Sequence, residues 1–145
     1  MLLAKEYSLL TNQAPPKVAS FEDLINSGLP ADSVDNILSL LKIDREELAQ
    51  LLNLSTRRIA QLRVVKKDGS EVQRLNKDAS ERALRVIKVF EDAIAYFGSQ
   101  EKAQIWFSRP NISLGDKTPL EMCSTFTGME LVKHTIIKLQ HGMTA

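Results

Sequence analysis

The sequence predicts an all-α protein. Apolar residues recur at steps of three and four, most clearly Ala83, Ile87, Phe90, Ile94 and Phe97. Helix-start residues stand ahead of such runs, three times with glutamate three positions on: Asp44 with Glu47, Asp78 with Glu81, and Thr118 with Glu121. Stretches of strand-like alternation are poor.

The elements follow in order. Met1 to Ala19, with Pro15 and Pro16, reads as a loosely held arm. Ser20 and Asp23 start a first helix, which Gly28 and Pro30 stop. A second runs from about Ala31 to Lys42, with Val34, Ile37, Leu38 and Leu41 on one face. Asp44 caps a third, in which Ala49, Leu51 and Leu52 pack inward. Asn53-Leu54-Ser55 breaks the pattern, and Ser55 caps a fourth from Thr56 to about Val65.

Lys66 to Asn76 is polar, with a turn at Asp68-Gly69-Ser70. Asp78 and Glu81 open the long fifth helix, and Gly98 ends it. Ser99 caps a sixth, which Pro110 must end. Asn111 to Lys117 is loop. Thr118 caps a seventh with Pro119 at its first position, and this helix stops near Gly128. An eighth runs from Met129 to about Gln140, and Gly142 ends it.

A chain of 145 residues suffices for one compact domain or two small ones sharing a core. Its 43% apolar and 26% charged content is that of a globular protein. A single cysteine, Cys123, excludes an intrachain disulfide and suits a reducing cytoplasm. Lys5 and Glu6 interrupt the apolar start before a secretory h-region forms, and no apolar run reaches membrane-span length. A cytoplasmic protein without a membrane partner is expected.

The net charge of +1 is unevenly spread. Met1 to Thr56 carries 4 basic and 8 acidic residues, Arg57 to Lys88 carries 10 and 4, and Val89 to Ala145 carries 5 and 6. The basic middle begins at the helix after the Asn53–Ser55 break. A helix-turn-helix places its second helix in the major groove, N-terminal end first. Ile59 and Leu62 then face the core, leaving Thr56, Arg57, Arg58 and Gln61 outward. Arginine can take guanine and glutamine adenine by paired bonds. Arg63, Lys66 and Lys67 lie beyond and can hold phosphates.

The last third of the chain, with parts of what precedes it, carries a resemblance. Trp106, Pro110-Asn111, Leu114-Gly115, Thr118-Pro119-Leu120, Thr125, Gly128, Val132 and His141-Gly142 resemble, in order and spacing, the C-terminal domain of the Xre/MbcA/ParS antitoxins. Glu47 to Ser55 looks like the start of the helix-turn-helix of Xre-type repressors, and Asn76 to Gly98 like the family's linking helix. The likeness covers roughly Phe21 to Ala145. It departs at Asp116, where the family loop often carries a second glycine.

The resemblance implies an N-terminal helix-turn-helix portion joined by a long helix to a C-terminal helical toxin-binding portion. Residues 1–20 form the arm, 21–76 the DNA-binding domain and 77–145 the linking helix and toxin-binding domain. The implied partners are operator DNA and a cognate toxin, RES or ADP-ribosyltransferase-like, that acts on NAD. Toxin-contacting positions match Lys138, His141, Gly142, Met143, Thr144 and Ala145. A homodimer is expected, since operator symmetry usually mirrors a two-fold in the protein.

Trp106, Met122, Phe126, Leu131, Ile136 and Leu139 read as mostly core, and Gly115 and Gly128 as a turn and a helix end. Catalytic, cofactor and metal sites are not expected. His134 and His141 are two ligands at most and do not close a zinc site. Cys123 with His134 reads as a buried thiol and an exposed imidazole rather than nucleophile and base. No glycine loop for phosphate is present. Two other classes fit the residues: a stand-alone helix-turn-helix repressor, and an adaptor that binds protein only.

Overall fold

The computed structural model describes residues 4–11, 21–63 and 73–142. Among them every regular element is helical, as the sequence predicts, and the only strand-like pairings are two isolated bridges, Pro30 with Arg74 and Asn111 with Lys117. The chain forms two compact units, one up to Leu84 and one from Arg85 onward.

The first unit holds α1 (Ala4–Thr11), α2 (Phe21–Ser27), α3 (Ser33–Leu41), α4 (Arg45–Leu52), α5 (Thr56–Leu62) and the start of α6 (Lys77–Phe97). Leu10, Leu29, Val34, Ile37, Leu48, Leu52 and Ile59 are wholly buried there. The expected loose arm is corrected over residues 4–11. α1 is a helix packed on α3, with Leu10 and Tyr7 buried and Asn36 Nδ2 donating to the Leu10 carbonyl. The periodicity of Tyr7, Leu10 and Thr11 is only one turn long, too little to outweigh the prolines that follow.

Left-handed residues set the helix ends. Lys42 (φ 56°) closes α3 and Asn53 (φ 54°) closes α4. Short backbone pairings then bring the chain back: Ala31 N donates to Gln73 O at 2.8 Å and Leu75 N to Leu29 O at 2.8 Å. Arg74 Nη1 adds a bond to the Gly28 carbonyl at 2.9 Å. α6 starts two residues earlier than Asp78 as its cap would place it. Asn76 Oδ1 accepts from Ala79 N at 2.7 Å, so asparagine is the cap, while Asp78 pairs with Arg82 at 2.8 Å.

The second unit holds the rest of α6, α7 (Gln100–Phe107), a 3-10 turn (Ile112–Leu114), α8 (Pro119–Met122) and α9 (Phe126–Gln140). Phe90, Ala103, Cys123, Val132 and Ile136 lie in its interior. Phe90 meets Phe107 edge-on at 5.3 Å. The single long seventh helix expected from Thr118 to Gly128 is instead two. α8 lasts one turn, and Thr125 then caps α9, its hydroxyl accepting from Gly128 N at 2.9 Å.

Gly128 is therefore no helix end. It sits in the first turn of α9, where a Cβ would lie 1.7 Å from the Met122 carbonyl oxygen. The tight junction of α8 and α9 needs a residue with no side chain.

Candidate DNA-facing and partner-facing surfaces

The helix-turn-helix is built by two caps and one left-handed residue. Asp44 Oδ1 accepts from Glu47 N at 2.8 Å and Glu47 Oε1 accepts from Asp44 N at 3.2 Å, the reciprocal box read from the sequence. Asn53 turns the chain at the end of α4. Ser55 Oγ then accepts from Arg58 N at 3.0 Å and starts α5. Ile59 and Leu62 are buried, and this fixes the outward face.

Thr56, Arg57, Arg58, Gln61 and Arg63 are all exposed, so α5 presents together the polar residues expected of it. Arg63 differs in role. Its Nε donates to Asp35 Oδ1 on α3 at 2.7 Å, which ties the end of α5 to the body and leaves less of the guanidinium for a phosphate. Sequence reading had no signal for a partner 28 positions away. Arg58 and Gln61 lie within 3.5 Å of one another through Nη1 and Oε1. α5 ends at Leu62, short of Val65, and Lys66, Lys67 and the turn at Asp68-Gly69-Ser70 lie outside the described residues. A shallow groove of about 550 Å³ beside the start of α5 is lined by Glu46, Gln50, Asn53, Ser55 and Thr56 among others.

The second surface is α9. Thr127, Glu130, Leu131, His134, Lys138 and His141 recur at helical spacing and are all exposed, flanked by exposed Phe126, Lys133 and Ile137. Phe126 and Leu131, read as core from the sequence, are 36% and 47% exposed; both stand on the outer arc of the helix, away from Val132 and Ile136. Arg85 lies over the Phe126 ring, 5.4 Å from its centre. Trp106 is half-buried and tilts against Phe97 at 5.5 Å. Met122 and Leu139 are half-buried, and Ile136 is core as expected.

Lys138, His141 and Gly142 are exposed at the end of α9, and Gly142 (φ 73°) turns the chain out of the helix. Met143, Thr144 and Ala145 lie outside the described residues. Cys123 is a poor candidate nucleophile. It is wholly buried, and burial pushes its thiol up to about 12. Among the described residues no three His, Cys, Asp or Glu side chains are grouped to hold a metal ion, and no helix is long and apolar enough to cross a membrane.

Comparison with known proteins places both surfaces in one family. Residues 20–88 match the antitoxin Xre-like helix-turn-helix domain, and residues 92–142 match the antitoxin Xre/MbcA/ParS C-terminal toxin-binding domain. The chain belongs to the Xre/MbcA/ParS antitoxin family. An Antitoxin Xre from Yersinia enterocolitica is 30% identical over 83% of this chain and 78% of its own length. An Antitoxin Xre from Photorhabdus laumondii is 28% identical over 84% and 79%. A protein named Prs ADP-ribosylating antitoxin, from a Sphingobium species, is 25% identical over 84% and 79%. The solved Mycobacterium tuberculosis MbcT–MbcA toxin–antitoxin complex contains a chain of the same fold, with TM-score 0.52 and 20% identity over 79% of this chain and 96% of that one.

Gly115 (φ 68°) and Asp116 (φ 62°) both adopt left-handed backbone, and Asp116 N donates to Asn111 O at 3.0 Å. Aspartate is among the few residues that tolerate this region, so the loop keeps a glycine-like path without the second glycine.

Proposed function

We propose that the protein is the antitoxin of a type II pair: it binds and neutralises a NAD-consuming toxin, RES or ADP-ribosyltransferase-like, by blocking the toxin's active site with its C-terminal region. The observation that carries this reading is the outer face of α9. Three large apolar side chains, Phe126, Leu131 and Ile137, stand exposed on a helix inside the segment that matches the family's toxin-binding domain. Exposed apolar groups clustered with polar ones mark protein interfaces. Gly142 (φ 73°) ends the helix, and a tail of only three residues after it is short and narrow enough to suit a concave site. The name of the Sphingobium relative, which refers to ADP-ribosylation, supports a partner that uses NAD as donor.

In the same reading α5 binds operator DNA through Thr56, Arg57, Arg58 and Gln61, the protein acts as a homodimer on a symmetric site, and it represses its own operon. The protein needs no catalytic group of its own for either task.

The test is co-expression with the product of the reading frame adjacent to its gene. The toxin alone should arrest growth and deplete cellular NAD, and co-expression of this protein should restore both, with the two proteins co-purifying. A neighbour whose product leaves NAD and growth untouched, and does not co-purify, removes the reading.

A further inference from the structure

We infer that Glu46 reads an exocyclic amino group of one base in the operator half-site and thereby sets part of the DNA specificity. This rests on the DNA-binding reading of α5 above. Glu46, Gln50 and Asn53 follow one another along one side of α4 and, with Ser55 and Thr56, line the groove beside the start of α5. When the second helix of such a pair enters the major groove, its N-terminal residues meet base edges and the first helix crosses the backbone. The side of α4 that shares a groove with Thr56 is then the part of the first helix nearest the bases.

Glu46 takes no part in the capping box that starts α4. Asp44 and Glu47 make the capping box between them. Glu46 is exposed on the groove wall, and Arg57 and Arg58, also exposed, follow Thr56 of that wall in sequence. An ionised carboxylate can only accept hydrogen bonds. Against a phosphate it meets like charge. Of the groups in the major groove, only cytosine N4 and adenine N6 can satisfy it; guanine offers O6 and N7 acceptors, and thymine a carbonyl and a methyl. A carboxylate placed here favours an amino-bearing base at one position and penalises the others. It also lowers affinity for duplex that offers only phosphates, widening the gap between specific and non-specific sites.

The probe is a randomised duplex library, selected separately with the wild-type protein, Glu46→Ala and Glu46→Gln. Thermal melting verifies that each is folded, and anisotropy titrations follow on the recovered duplexes. The wild type should enrich a motif with one position per half-site restricted to cytosine or adenine on one strand. In Glu46→Ala that position should become degenerate, its discrimination falling about tenfold, while the positions read from α5 persist. Unselected duplex should bind more tightly. Glu46→Gln, which keeps an acceptor, should retain preference at that position. Identical motifs from wild type and Glu46→Ala overturn the inference. So does a uniform rise in affinity with the motif intact, which means Glu46 only repels phosphate. A wild type that enriches no motif overturns the DNA-binding reading itself.

Discussion

Gly128 and Met122 approach so closely that a Cβ on the glycine would fall 1.7 Å from the Met122 carbonyl oxygen. The obstacle is backbone, so no side-chain rotation relieves it. Gly128 is also helical in φ, so the requirement is for space and not for left-handed geometry. Gly128→Ala should destabilise the protein by about 3 kcal/mol, the upper part of the overpacking range. A melting temperature near the parent's would show that α8 and α9 can separate without cost.

Two threonines start the helices on either side of that junction. Thr118 Oγ1 accepts from Glu121 N at 3.0 Å, and Thr125 Oγ1 from Gly128 N at 2.9 Å. Replacing either by alanine should cost about 1 kcal/mol. Denaturant unfolding should show both losses, with Thr125→Ala also lowering the helix content of α9.

What the sequence made legible follows from range. Local chemistry was readable: the Asp44–Glu47 box, Ser55, Ser99 and Thr118 as caps, and Gly98 and Gly142 as stops, all within four residues of what they act on. Contacts between distant residues were not. The Arg63–Asp35 pair, the Glu46 groove and the bond from Leu29 N to Ser80 Oγ at 2.9 Å depend on how helices pack. Gly128 is ambiguous in sequence for a related reason. A glycine after a run of helix formers signals a helix end, and a close backbone approach leaves the same letter. Residue type alone puts Phe126 and Leu131 in the core, although the three- and four-residue steps from Thr127 through His134 and Lys138 to His141 place Leu131 on the polar face.

Cys123 should resist modification. Its thiol is buried and is pushed from 9.0 up to about 12 by loss of solvation, so the reactive thiolate is scarce in the folded protein. The stabilising difference is fully present below the unfolded value near 9 and is lost as pH rises toward about 12, because the unfolded chain ionises first. Native protein should react slowly with a thiol reagent at neutral pH and at once in denaturant. Stability should fall between pH 9 and 12 more steeply in the parent than in Cys123→Ala. Fast native labelling would place the thiol at the surface.

Arg57 and Arg58 are exposed at the start of α5, whereas Arg63 is held by Asp35. Replacing Arg57 and Arg58 together by alanine should weaken operator binding, with roughly 1–3 kcal/mol for a base-reading arginine, and should flatten the salt dependence. Arg63→Ala should act mainly on stability, modestly because the pair is exposed. Gel-shift titration at several salt concentrations separates these outcomes. Unchanged DNA affinity in the double variant would make the basic segment a solvated surface.

In the proposed function the outer face of α9 supplies affinity and the tail supplies the block, and the two can be removed separately. Leu131 is 47% exposed, and its replacement by aspartate disturbs no core contact of the kind Val132 or Ile136 makes. A charge buried at an interface without a partner is costly. Leu131→Asp should therefore fold as the parent does, bind the toxin at least tenfold more weakly, and inhibit fully once its concentration is raised. Deleting His141 to Ala145 should do the reverse. Little core is lost, since His141 and Gly142 are exposed, and the α9 face from Thr127 to Lys138 remains. The truncated protein should still bind, but NAD turnover by the purified toxin should persist at saturating antitoxin. The opposite pattern, with full inhibition by the truncation and incurable loss in Leu131→Asp, would move the block from the tail to the helix face itself.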